Sequence, residues 1–110
     1  MGLNEILAKR VEESLRGQRG ITQKRMFGGL CFLHHGNMLC GIDNKGQLMV
    51  RVGSEQYEKA LTMKHVKKMD FTGKPLKGMI YVKPGGIKSE KDIDKWVAMG
   101  LKFTGTLPRR

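Results

Sequence analysis

The stretch that decides the fold runs from Lys24 to Val52, KRMFGGLCFLHHGNMLCGIDNKGQLMVRV. Residues 24–33 are apolar on both sides of a two-residue period, which predicts a strand inside a sheet. Gly28-Gly29 interrupts it. Paired glycines weaken a strand and mark a bulge, a sharp bend or a close backbone approach. His34-His35-Gly36-Asn37 reads as a turn, and Met38 to Asp43 as the returning strand. Asp43-Asn44-Lys45-Gly46 is a second turn, with Asp at the position that opens a type I turn and Gly at the left-handed residue. Gln47–Val52 then alternates, with Leu48, Val50 and Val52 on one face and Met49 and Arg51 on the other. Three strands joined by two tight turns predict an antiparallel meander.

Outward from this core the period changes. Leu3, Ile6, Leu7, Val11 and Leu15 recur at three- and four-residue steps, predicting an amphipathic helix over about residues 3–16 that ends at Gly17. Downstream, Ser54 is placed to cap a short helix over 54–62, with Glu55 in its first turn and Tyr57, Ala60 and Leu61 on its apolar side. Residues 63–77 read as an extended, turn-rich stretch, 78–83 as a further strand, and Pro84-Gly85-Gly86 as a turn. Ser89 with Asp92 resembles a capping box before a last helix whose stripe is Ile93, Trp96, Val97, Gly100 and Leu101. Strands grouped together and flanked by helices predict an α+β fold. The expected architecture is an antiparallel sheet, a meander plus one or two further strands, flanked by N-terminal, middle and C-terminal helices. With 110 residues, one domain over 1–110 is expected.

The N-terminus has no apolar core of a signal peptide, and the most apolar run is far too short to span a bilayer. Met1-Gly2 is followed by Ile6 where myristoylation wants Ser or Thr. A cytoplasmic location without membrane attachment is expected, where the two cysteines stay reduced. The charge is the strongest compositional signal, 21 Lys and Arg against 10 acids, a net +11. The excess concentrates in residues 64–88, where Lys64, Lys67, Lys68, Lys74, Lys77, Lys83 and Lys88 face one acid, Asp70. Such a strip attracts polyanions. The competing reading is a solvated lysine face, favoured by the lack of aromatic residues interleaved with the lysines.

Catalytic signals are weak. With the turn at 34–37, Leu33 faces Met38 and Cys31 is expected opposite Cys40. His34 and His35 would sit at the turn, roughly 10 Å along the strand from the thiols. That spacing fits no zinc knuckle or ribbon, and small buried thiols pack as apolar residues. A Cys–His pair using His65 lacks any feature that would lower the thiol pKa. No phosphate-binding glycine motif is present. Asp70 to Gly73 reads as an Asx-type turn rather than a base. Trp96 is expected in the core or a subunit interface, and Met26, Met63, Met69, Met79 and Met99 in core packing or an adaptable surface.

Taken together, Arg25-Met26-Phe27-Gly28-Gly29, Gly36-Asn37-Met38, Leu48 to Gly53, Met69-Asp70-Phe71-Thr72-Gly73-Lys74-Pro75, Trp96-Val97 and Leu107-Pro108 resemble the N-terminal domain of the TfoX/Sxy family. The resemblance runs from about Ile6 to Pro108. It implies a compact α+β domain and a regulatory role. Namesake members regulate competence genes together with transcription factors and carry a second, C-terminal helical domain, so the expectation here is a stand-alone N-terminal domain. The resemblance supplies no catalytic residues. A non-enzymatic domain is therefore expected, with no cofactor and no metal, acting through the transcription machinery or nucleic acid. The expected contact residues are Arg25, Arg51, Lys64, Lys67, Lys68, Lys74 and Lys77. Met26, Phe27, Gly28, Gly29, Asp70, Phe71, Gly73 and Pro75 are family-motif positions with a structural role. The alternatives are a small thiol- or metal-dependent enzyme using Cys31 and Cys40, and a self-associating domain that pairs as a homodimer.

Overall fold

The computed structural model describes residues 3–26, 29–71 and 74–108, with side chains for all of these except 3, 4, 26, 70, 71 and 74–77. Phe27, Gly28, Thr72 and Gly73 lie outside the described residues, and with them the expected Asp70–Gly73 turn.

Among the described residues, three α-helices pack on one six-stranded antiparallel sheet. The helices are α1 (Leu3–Ser14), α2 (Gly53–Leu61) and α3 (Glu90–Thr104). The strands are β1 (Ile21–Met26), β2 (Gly29–His34), β3 (Asn37–Ile42), β4 (Leu48–Arg51), β5 (Val66–Phe71) and β6 (Lys74–Val82), in the order β1-β2-β3-β4-β6-β5. The α+β class and the antiparallel sheet stand as expected.

Two segments differ. The strand expected over 24–33 is two strands, since Ile21–Met26 pairs antiparallel with Gly29–His34. A glycine is required at 29, where an added Cβ would collide with the Ile42 carbonyl oxygen of β3. The meander therefore has four strands, and β1 is an edge strand with Thr22, Gln23, Lys24 and Arg25 exposed. Likewise, the turn-rich stretch 63–77 contains β5 and the start of β6. Its composition hid a hairpin because the pairing shifts register between Lys68 and Asp70. Gly78 lies across from that irregularity, and its φ of +91° favours a residue without Cβ.

The first helix ends at Ser14, with residues 15–17 forming a turn. Helix α2 begins one residue before the expected Ser54, with Val52 at the N-cap and no side-chain cap bond. Helix α3 has the full capping box: Ser89 Oγ accepts from Asp92 N–H at 3.1 Å, and Asp92 Oδ2 accepts from Ser89 N–H at 3.2 Å. The β2–β3 turn is tighter than expected, two residues (His35-Gly36) with φ of +50° and +84°. These are the signs a two-residue hairpin needs to match strand twist. The Asp43–Gly46 turn forms as expected, Asp43 Oδ1 accepting from the N–H groups of Lys45 and Gln47.

The main core lies between the helices and one sheet face. Its sheet side is two cross-strand rows, Phe32–Cys40–Val50–Ile80 and Leu30–Ile42–Leu48–Val82. Leu7, Val11, Tyr57, Ala60, Ile93, Trp96 and Val97 close it from the helices. Trp96 is in the core, and its indole N–H donates to the Gly86 carbonyl at 3.1 Å. The opposite face carries a smaller cluster of Cys31, Met49, Met69 and Met79, with Met38 and Tyr81 packed at its margin. Among the described residues no helix is long and apolar enough to cross a membrane.

Candidate functional site

Mapping charge onto the elements separates the two layers. The helices hold eight of the ten acids (Glu5, Glu12, Glu13, Glu55, Glu58, Glu90, Asp92, Asp94) against six cations. The strands hold seven cations (Lys24, Arg25, Arg51, Lys67, Lys68, Lys74, Lys77) against Asp70 alone. The positive excess thus belongs to the strands and to the segments between and beyond the elements, not to the helices.

The expected contact residues do not form one patch. Adjacent residues in a strand point to opposite faces. Lys68 pairs with Ile80, on the helix side, whereas Lys67 pairs with Tyr81, on the other side; both lysines are exposed. Arg25 is exposed on β1, the sheet edge opposite to β5. Arg51 is half-buried, its guanidinium 5.1 Å from the Phe103 ring centroid. Phe103 in turn walls a groove of about 470 Å³ between α2 and α3, where Lys59, Lys102 and Glu55 also lie. Lys74 and Lys77 belong to β6, and their side chains are outside the described residues.

One concentration of cations is built by the β5–β6 hairpin. Lys67 Nζ lies 5.4 Å from the centroid of the half-buried Tyr81 ring. Lys83 is two residues beyond Tyr81 on extended backbone (φ −69°, ψ 160°) and so shares its side of the sheet. Its N–H donates to the His65 carbonyl at 2.7 Å, which draws the Lys64-His65 turn to the same end of the hairpin. Lys64, Lys67 and Lys83 are all exposed, and of the three Lys67 is the one over the Tyr81 ring. This overturns the expectation that no aromatic interleaves with the lysines. Tyr81 is fourteen positions from Lys67 in the chain, and only strand pairing joins them. Tyr81 and Lys83 were not among the expected contact residues. The available signal was Tyr81-Val82-Lys83, an aromatic and a cation at the two-residue spacing of one strand face.

The cysteines are placed differently from the expectation. Leu33 does face Met38, but the register then shifts by one, so Cys40 pairs with Phe32 and Cys31 with Gly41. The extra residue, Leu39, sends the two thiols to opposite faces: Cys40 into the main core, Cys31 into the methionine cluster. Both are fully buried. Burial pushes the Cys31 thiol up to about 11, and the Cys40 thiol upward further still. Of the histidines, His34 is buried with Nδ1 2.8 Å from Thr104 Oγ1, and its ring lies 4.4 Å from that of His35. His65 packs on Gly85 and Gly86. Among the described residues no group of three or more His, Cys, Asp or Glu is placed to hold a metal ion. Of the methionines expected in core packing or an adaptable surface, Met69 and Met79 are buried, Met63 and Met99 are partly buried against the main core, and the Met26 side chain is outside the described residues.

Comparison with known families places residues 13–104 in a match to the TfoX N-terminal domain. Searches of curated proteins and of solved structures returned no match.

Proposed function

The chain belongs to the TfoX N-terminal domain family, and from that premise we propose that it is a non-catalytic regulatory domain, linked to transcription, that holds the phosphate backbone of a nucleic acid against its sheet layer. The partition of charge carries this reading: seven cations to one acid on the strands, and more acids than cations on the helices. The strand cations point to both faces and lie at both edges of the sheet, so the contact is confined to those grouped on the β5–β6 pair, where a polyanion is drawn. Lys64, Lys67 and Lys83, grouped at the end of the β5–β6 hairpin, are the contacts of first importance. The buried thiols, held protonated at neutral pH, support a binding module over a thiol enzyme.

The test is fluorescence anisotropy of labelled DNA and RNA across a salt series. Three phosphate contacts give a log–log salt slope of about −2 to −3. Replacing Lys64, Lys67 and Lys83 together with Glu is expected to abolish binding. Absence of binding at low salt overturns the reading and directs the search to an acidic protein surface.

A further inference from the structure

We infer that the nucleic acid held here is single-stranded, with one base stacked on Tyr81 in the place that Lys67 occupies in the free protein. This rests on the phosphate-binding reading above. A duplex hides its base faces in the stack and offers phosphates and groove edges, but no base face for an aromatic ring to stack on. A single strand offers both a phosphate and an exposed base face, and proteins that bind it combine cations with an aromatic platform.

Tyr81 meets that requirement better than any other described aromatic. One side of it packs on the Cys31–Met49–Met69–Met79 cluster, which holds the ring in place. Over the ring lies the ammonium of Lys67, on an exposed and flexible stem. Trp96, Phe32 and Tyr57 are buried. Phe103 has the Arg51 guanidinium over it and Gly53 against its ring. On binding, Lys67 swings from the ring to the adjacent phosphate and a base takes its place. The exposed cation–π pair that the base displaces is a weak interaction. Lys83, on the same side two residues along, and Lys64, at the same hairpin end, meet the neighbouring phosphates.

The experiment compares three labelled probes on the unaltered protein at one low salt concentration: a twelve-nucleotide oligothymidine, the same length with abasic sites throughout, and a twelve-base-pair duplex. The oligothymidine is expected to bind about tenfold more tightly than the abasic strand, the effect of stacking one base. Tyr81→Leu, which keeps apolar packing on the cluster, is expected to bring oligothymidine affinity down to that of the abasic strand; an undiminished preference overturns the inference. Equal binding of the oligothymidine and the abasic strand overturns the stacking inference and leaves the phosphate reading standing. No binding of any probe overturns both.

Discussion

The ammonium of Lys67 lies over the ring of Tyr81, 5.4 Å from its centroid, across the β5–β6 pair. Its chain neighbour Lys68 faces the other side of the sheet, opposite Ile80 of the main core. The two lysines have the same charge and both are exposed, yet they belong to different surfaces. Lys67→Glu is therefore expected to weaken nucleic-acid binding by about tenfold or more, and Lys68→Glu by much less. Anisotropy titrations of the two single variants at equal salt check this; equal losses would place the contact on the hairpin edge as a whole.

The cysteines set an alkaline limit on stability. Burial raises the Cys31 thiol from 9.0 to about 11, and the Cys40 thiol rises too. In the unfolded chain both titrate at ordinary values, so the unfolded state loses protons first as pH rises. Their contribution to stability is whole below about pH 9 and falls as pH climbs from there toward the folded value of Cys31. Denaturant unfolding between pH 8 and 11 should show stability declining, and less steeply in Cys31→Ser. At pH 8 a thiol reagent should react only as fast as the protein opens.

Helix α3 depends on its cap. Ser89 and Asp92 exchange two hydrogen bonds at its start, and the Ser89 backbone bond, first among several causes, holds the Asp92 carboxyl below the usual carboxylate range. Ser89→Ala should cost about 1 kcal/mol, read from urea midpoints. The Asp92 contribution is present above its unfolded value of 3.8 and is lost as pH falls through the depressed folded value, so acid should weaken this cap only below about pH 4.

Gly29, the last residue of the Arg25–Gly29 motif, is structural. A methyl there would drive into the Ile42 carbonyl of the neighbouring strand, and backbone cannot move aside as a side chain can. Gly29→Ala should lower stability by about 1–3 kcal/mol or more, seen as a fall in Tm. Nucleic-acid affinity of the folded fraction should be unaffected.

Much of this protein was written in its sequence by itself. The 3.6-residue stripes of α1 and α3, the two-residue alternation of β4, the Asp43–Gly46 turn, the capping box at Ser89 and the family motifs all follow from residues within a few positions of one another. Local hydrogen bonds and local periodicity are enough to specify them. The tertiary structure decided what depends on register between distant segments. A single extra residue at Leu39 sends Cys31 and Cys40 to opposite faces, where uninterrupted pairing would set them side by side. Antiparallel pairing of Ile21–Met26 with Gly29–His34 divides one apparent strand into an edge strand and an inner one. Strand pairing alone brings Tyr81 beneath Lys67 and sets Lys67 and Lys68 on different faces. Side-chain period in a strand is two residues, so a shift of one reverses the face of everything beyond it. That leverage is why the candidate site became legible only once the chain was folded.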